Sequence, residues 1–244
     1  MKNKNKGDII LGVSVSLIAI LIIGSLFIFK DKFSSVNNDD SDPVYTLDEV
    51  TQINTKNDPV IGDSDAPVTI VEFGDYKCPA CGYFSNSIYP ELKTDYINTG
   101  KVKFIFKNFP FIADDSDRAA VYAEGVYKSL GNDAFWKLHE SIYEYQNEIY
   151  KNNNSSNEKK DVITKKYLTK VSTKLFGSEK ASKLKNILDN KEYEKAVKED
   201  LKDADKSKIE GTPTIFVNGK KVVDALNYET IKGAIEEAQN GENK

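Results

Sequence analysis

The sequence predicts an α/β fold built from a β-α-β unit, a long helical insertion and a closing β-β-α unit. Three observations carry that prediction. Val68-Thr69-Ile70-Val71-Glu72-Phe73 and Val102-Lys103-Phe104-Ile105-Phe106 are short strands rich in β-branched and aromatic residues, with Tyr83, Phe84, Ile88, Tyr89 and Leu92 recurring at helical spacing between them. Thr214-Ile215-Phe216-Val217 and Lys220-Lys221-Val222-Val223 flank Asn218-Gly219, the dipeptide that best supplies the positive-φ positions of a tight hairpin turn. Residues 111–209, between these units, are largely of helical pattern.

Taken in order, residues 9–29 hold no charged side chain. At about 1.5 Å per residue they are long enough to cross a hydrocarbon core about 30 Å thick. Lys2, Lys4 and Lys6 precede this segment and Lys30 and Lys32 follow it, so the positive-inside rule favours a cytoplasmic N-terminus only slightly. No small-x-small cleavage pattern closes it, and residues 1–30 are expected to be an uncleaved single-pass membrane anchor rather than a signal. The bulk of the chain would then lie on the extracytoplasmic side of the cell membrane. Residues 31–58 are expected as a flexible linker, polar and aperiodic as far as Pro43, with apolar residues returning from Val44. Turn signals at Asp58-Pro59 and Gly62-Asp63 lead into an α/β domain expected over 59–110 and 210–244.

Gly100 stops the first helix, and a right-handed crossover makes the strands on either side of it parallel neighbours. Within the insertion, Ser116 is the expected cap of a helix running to Gly131, and Asp133 of a second through Phe135, Trp136, Leu138 and Ile142. Further helices are expected over 162–176, 181–188 and 193–204, after a surface loop at 151–160. A last amphipathic helix carries Ile231, Ala234, Ile235 and Ala238 on one face. Acidic and basic residues are interspersed and the net charge is −4, which argues against a nucleic-acid partner.

Both cysteines of the 244-residue chain stand in one stretch, Cys78-Pro79-Ala80-Cys81, at the strand-to-helix turn of the first unit. Positions i and i+3 share a helix face, a separation that suits a disulfide. Pro79 fits the first helical position, where its missing N–H costs nothing, and this puts Cys78 at the N-cap facing free backbone N–H groups. A thiolate there is stabilised, by about one to five pKa units in Cys-X-X-Cys motifs. Cys78 is therefore the expected attacking sulfur and Cys81, a turn further in, the resolving one. Stabilising the thiolate stabilises the reduced form, so a depressed pKa makes an oxidant. Two blander readings compare poorly. A structural zinc needs about four ligands, against two cysteines and one histidine. A permanent structural disulfide of this span closes almost no loop and contributes little.

The chain resembles the exported DsbA-type thiol-disulfide oxidoreductases of the thioredoxin superfamily, in their membrane-anchored, BdbD-like form. The resemblance spans about residues 60–241. It rests on Gly62-Asp63-Ser64-Asp65-Ala66-Pro67-Val68-Thr69 running into the cysteine turn, on Phe135-Trp136-x-x-His139, and on Gly211-Thr212-Pro213-Thr214-Ile215-Phe216-Val217-Asn218-Gly219. It implies a thioredoxin fold with an inserted helical domain. It also implies a cis peptide bond before Pro213, with Thr212 tuning the redox pair and offering its backbone to an extended substrate.

Glu72, six residues before Cys78, stands where relatives carry an acid beneath the resolving cysteine. A carboxylate in a covered strand is costly unless useful, and proton transfer to and from Cys81 is such a use. Asp75 reads as a loop residue that would oppose a thiolate. His139, beside Trp136 and Ile142, reads as packing. Ala80 stands where the strongest oxidants of the family carry histidine, which lowers the oxidising power expected here. The implied activity is the introduction of disulfide bonds into exported proteins with free cysteines, by a monomer with no bound cofactor. A quinone-linked membrane oxidase of the DsbB type would reoxidise it. Alternatives are an exported reductase or isomerase and, in a different class, a carrier holding copper on Cys78, Cys81 and His139.

Overall fold

The computed structural model describes residues 44–153 and 158–241. The expected anchor at residues 9–29 and the first part of the expected linker, residues 31–43, lie outside the described residues. Among the described residues, no helix is long and apolar enough to cross a membrane.

The frame is a six-stranded mixed sheet of β1 (Thr46–Val50), β2 (Val60–Ile61), β3 (Val68–Gly74), β4 (Val102–Asn108), β5 (Thr214–Val217) and β6 (Lys220–Val222). Its spatial order is β1-β6-β5-β3-β4-β2. β3 and β4 pair in parallel from Val68↔Val102 to Gly74↔Asn108, as the crossover argument requires. β5 pairs antiparallel with β3, placing Thr214 opposite Phe73, and β6 returns beside β5. In the turn of that hairpin Asn218 and Gly219 take φ of 45° and 83°, the pair of positive values expected of an Asn-Gly turn.

β1 and β2 complete the two edges. Residues 44–58, expected as the end of a linker, belong instead to the folded unit that runs from Val44. Thr46 lies opposite Val222 and Val50 opposite Lys220, so β1 supplies partners to the outer edge of β6. Tyr45 anchors it, its ring lying where a Cβ on Gly233 would otherwise fall. The pattern Thr-Leu-Asp-Glu-Val carries two acids in five residues and is a poor strand signal on its own. Its pairing comes from the neighbour.

The helix after the cysteine turn starts as α1 (Pro79–Tyr83) and continues as α2 (Tyr89–Leu92), with wide π-helical turns at Phe84–Ile88 and Lys93–Ile97. Pro90 has no N–H to give to the carbonyl one turn back, and the helix widens there. Between β4 and β5 lie α3 (Asp114–Leu130), α4 (Asn132–Asn153), α5 (Lys165–Ser182), a short 3₁₀ turn at Ile187–Asp189 and α6 (Lys191–Lys206). The helical insertion therefore exists, with shifted caps. α3 starts after Ala113, and Ser116, expected as its cap, sits inside the first turn with its Oγ accepting from Ala113 N at 3.3 Å. α5 runs on across a kink at Gly177, where φ is +79°. Of the helix expected over 181–188, Ala181 and Ser182 end α5, and Ile187 and Leu188 open the 3₁₀ turn. α7 (Tyr228–Gly241) closes the chain.

Side chains alternate across the sheet and sort into two cores. Val68, Ile70, Phe104, Phe106, Ile215 and Val217 face the cysteine helix and the insertion, in one cluster with Cys78 and Cys81. Val71, Phe73, Ile105 and Phe216 face the other way, against Ala204 of α6 and Ile209. The strict alternation puts Glu72 on the first face and Lys107 on the second.

Candidate active site

The turn between β3 and α1 is shaped by Asp75. Its Oδ1 accepts from Lys77 N at 2.8 Å and its carbonyl from Cys78 N at 3.0 Å, which delivers Cys78 to the N-cap with extended backbone (φ −71°, ψ 119°) and Pro79 to the first turn. Its Oδ2 accepts from Phe111 N and Ile112 N at 2.9 and 3.2 Å. Asp75 is the loop residue expected, and in addition a buried tie between two loops.

Cys78 keeps 6% of its surface exposed and Cys81 none. The two thiols are free and share a hydrogen bond, and they are perturbed in opposite directions. Cys78 is pushed down to about 6, chiefly by the hydrogen bond from the Cys81 thiol and against a cost of burial. The Thr212 hydroxyl and the amides of Cys81 and Ala80 add to the lowering. As a neutral thiol, Cys78 donates to the Thr212 carbonyl at 3.3 Å, and Thr212 Oγ1 is buried without a partner. Ionisation of Cys78 gives that hydroxyl an acceptor. Cys81 moves the other way, raised by burial, then by the proton it gives to Cys78, then by the charge of Glu72.

Glu72 sits below this pair, 1% exposed. Its strand neighbours are Phe106 and Ile215, neither of which can pair with a carboxylate, and its Oε1 makes no hydrogen bond. Burial first, and the nearby Cys78 charge second, hold its carboxyl well above the usual range. An unpartnered acid held protonated next to a buried thiol can take up and return a proton. Thr212 and Pro213 reach the site because β5 pairs with β3 up to Phe73↔Thr214, and the Thr212–Pro213 peptide is cis, as the resemblance implied. All five residues singled out in the sequence therefore come together at the end of β3.

His139 does not join them as a ligand or base. Its ring lies 4.5 Å from that of Phe106 and 5.0 Å from that of Tyr143, its Nδ1 is 3.1 Å from Tyr76 OH, and burial pushes its pKa down to about 3. Among the described residues, no three His, Cys, Asp or Glu side chains group as a metal site.

The sequence reading passed over Gln146 and Tyr150 of α4. Gln146 is 2% exposed, and its Nε2 donates to the carbonyls of both Tyr76 and Cys78, at 2.8 and 2.9 Å. Tyr150 OH donates to the carbonyl between them, Lys77 O, at 2.8 Å. A signal was present: His139, Ile142, Tyr143, Gln146 and Tyr150 recur at three- and four-residue steps, so a polar amide stands on a core-facing stripe. Lys77, fully buried beside the nucleophile, also reaches into the insertion, 3.2 Å from Asp115 Oδ2 and donating to Lys160 O at 2.7 Å.

The thioredoxin family model matches residues 54–237. The probable disulfide bond formation protein D of Bacillus anthracis is 34% identical to this chain over 97% of it and 98% of the relative. Disulfide bond formation protein D of Bacillus subtilis is 37% identical over 78% of this chain and 81% of the relative. The crystal structure of oxidised BdbD from Bacillus subtilis superposes with a TM-score of 0.68 at 35% identity, covering 80% of this chain and 98% of that one. With its cysteine turn, its cis-proline strand and its helical insertion in this arrangement, the chain belongs to the thioredoxin family and, within it, to the disulfide bond formation proteins D.

Proposed function

We propose that the chain introduces disulfide bonds into exported proteins by dithiol–disulfide exchange at Cys78 and Cys81. The observation that carries this reading is the opposed pair of thiols, one stabilised as thiolate and still partly accessible, the other fully buried and held protonated beneath it.

In the oxidised enzyme a substrate thiolate attacks Cys78 Sγ, the more accessible of the two sulfurs. The Cys78–Cys81 bond breaks, a mixed disulfide forms, and Cys81 leaves as a thiolate that takes the Glu72 proton. A second substrate thiolate then attacks the substrate sulfur of the mixed disulfide and expels Cys78. The substrate gives up two electrons, which the enzyme holds as the Cys78 thiolate and the Cys81 thiol; of the two substrate protons one goes to solvent and the other makes good the proton that Glu72 gave up. Cys78 leaves easily because a low pKa makes a good leaving group. Thr212 stabilises the departing charge, and Pro213 keeps the strand end beside the sulfur, where an extended peptide can pair with it.

The supporting test is the redox equilibrium of the purified full-length protein against glutathione buffers. A potential well above about −180 mV is the expected result, and a value near or below about −270 mV would mean a reductant and reverse the direction of the reaction. The same measurement separates the oxidase from a reductase or isomerase. Among the described residues, no third ligand groups with Cys78 and Cys81 to favour the copper-carrier reading. Residues 1–30 would anchor the enzyme in the cell membrane as a monomer facing outward, with reoxidation by a DsbB-type quinone-linked membrane oxidase. Membrane fractionation combined with protease accessibility checks the anchor, and loss of the steady-state oxidised form on deleting such an oxidase checks the partner.

A further inference from the structure

We infer that Gln146 and Tyr150 are positioning residues for thiol–disulfide exchange, by which the helical insertion holds the active-site turn in the geometry that favours the Cys78 thiolate. This rests on the exchange activity just proposed and adds to it a role for the insertion.

Three consecutive carbonyls lead into the nucleophile: those of Tyr76, Lys77 and Cys78. Each accepts from a side chain of α4, in the order Gln146, Tyr150, Gln146. One amide therefore brackets two carbonyls and a phenol takes the one between. Every carbonyl oxygen is the negative end of a peptide dipole, and three of them lie next to an atom that must become negative. Donors from α4 direct all three toward the insertion, whereas the sulfur meets Thr212 of the sheet domain. The amides of Ala80 and Cys81 are left facing the sulfur. The Cys78 carbonyl also accepts from Gly82 N at 3.0 Å, but without the donors the Tyr76 and Lys77 carbonyls would lose their α4 partners in a buried place, and the turn would relax to find others at the expense of that arrangement.

Gly82 fits the same account. A Cβ there would overlap Gln146 Oε1, so the residue after the resolving cysteine is open to let the amide in. In a helix interior, glycine to alanine is ordinarily stabilising, so a loss on Gly82→Ala would report the lost amide.

The experiment compares the full-length protein with Gln146→Met, Tyr150→Phe, Gly82→Ala and the Gly82→Ala/Gln146→Ala double variant. The thiolate titration and the glutathione equilibrium of each are read, with circular dichroism to confirm folding. The expected result is a rise of about one pH unit in the Cys78 titration midpoint for Gln146→Met. The disulfide-donating equilibrium constant should weaken about tenfold with it, and Tyr150→Phe should move both in the same direction by less. Gly82→Ala should behave like Gln146→Met on its own and add little once Gln146 is alanine. Folded variants with a lowered melting temperature but an unchanged midpoint and equilibrium constant would overturn the inference, because a merely structural contact moves only the first. Should Gln146→Met not fold, Tyr150→Phe decides alone. The differences are read relative to the parent, so they stand even if the parent potential reverses the proposed direction of the reaction.

Discussion

Glu72 and Lys107 are buried ionisable groups one step apart on neighbouring strands, since Glu72 is opposite Phe106 and Phe73 opposite Lys107. They face opposite sides of the sheet and are treated in opposite ways. Lys107 Nζ is 2.7 Å from Asp58, 2.9 Å from Asp200 and 3.3 Å from Asp203, and donates to Asn54 O at 3.0 Å. Glu72 is flanked by Phe106 and Ile215 and has an oxygen with no partner at all. A buried charge that is fully paired holds loops and helices to a sheet. One left unpaired costs stability wherever it stands, and persists where its proton is used.

Replacing the paired charge should have the largest effect on stability. Lys107→Met leaves three largely buried acids facing one another, and is expected to cost about 3–5 kcal/mol in denaturant unfolding. Its glutathione equilibrium should not move, because the cysteines lie on the other face.

Glu72→Gln should do the reverse. A carboxyl whose folded pKa is raised loses stability as pH climbs above its unfolded value of about 4.5, because the unfolded chain ionises first. The amide removes that penalty, so the variant is expected to be more stable at neutral pH by about 2 kcal/mol and level with the parent in acid. Proton delivery to Cys81 is lost, and single-turnover exchange with a reduced substrate should slow. A variant that is both less stable and equally fast would remove the distinction between the two faces.

A smaller change separates the roles at the sulfur itself. Thr212→Val removes the hydroxyl that acquires an acceptor only when Cys78 ionises, and should raise the Cys78 midpoint from about 6 with up to about a tenfold weaker oxidant. For reduced protein the sign also follows. A depressed Cys78 contributes stability that is complete above the unfolded pKa near 9 and falls away as pH drops toward about 6. The stability gap between the reduced parent and Cys78→Ser should therefore widen from pH 6 to 9.

How much of this was legible in the sequence depends on whether a feature is local. The β3–α1 turn, the Asn218-Gly219 hairpin and the N-cap position of Cys78 follow from residues that touch along the chain, and they stand as expected. Thr212 and Pro213 are more than 130 residues from Cys78 and were reached only through the motif that surrounds them. β1 was not visible because its strand character comes from pairing with β6 across most of the chain, and the tie made by the loop residue Asp75 was not visible because its partners Phe111 and Ile112 lie beyond β4. Gln146 did leave a trace, a polar residue on an apolar helical stripe. Its target carbonyls belong to another element, and backbone acceptors carry no sequence signature.

The measurement that bears most directly on the account is the ultraviolet thiolate titration of the reduced full-length protein, with Cys78→Ser as its control. The account predicts one thiolate appearing with a midpoint near 6, absent in the control, and a second thiol still protonated at pH 9. Two thiols titrating together near the ordinary value of about 8.5 would contradict it, because neither the stabilised leaving group nor the held proton would then exist.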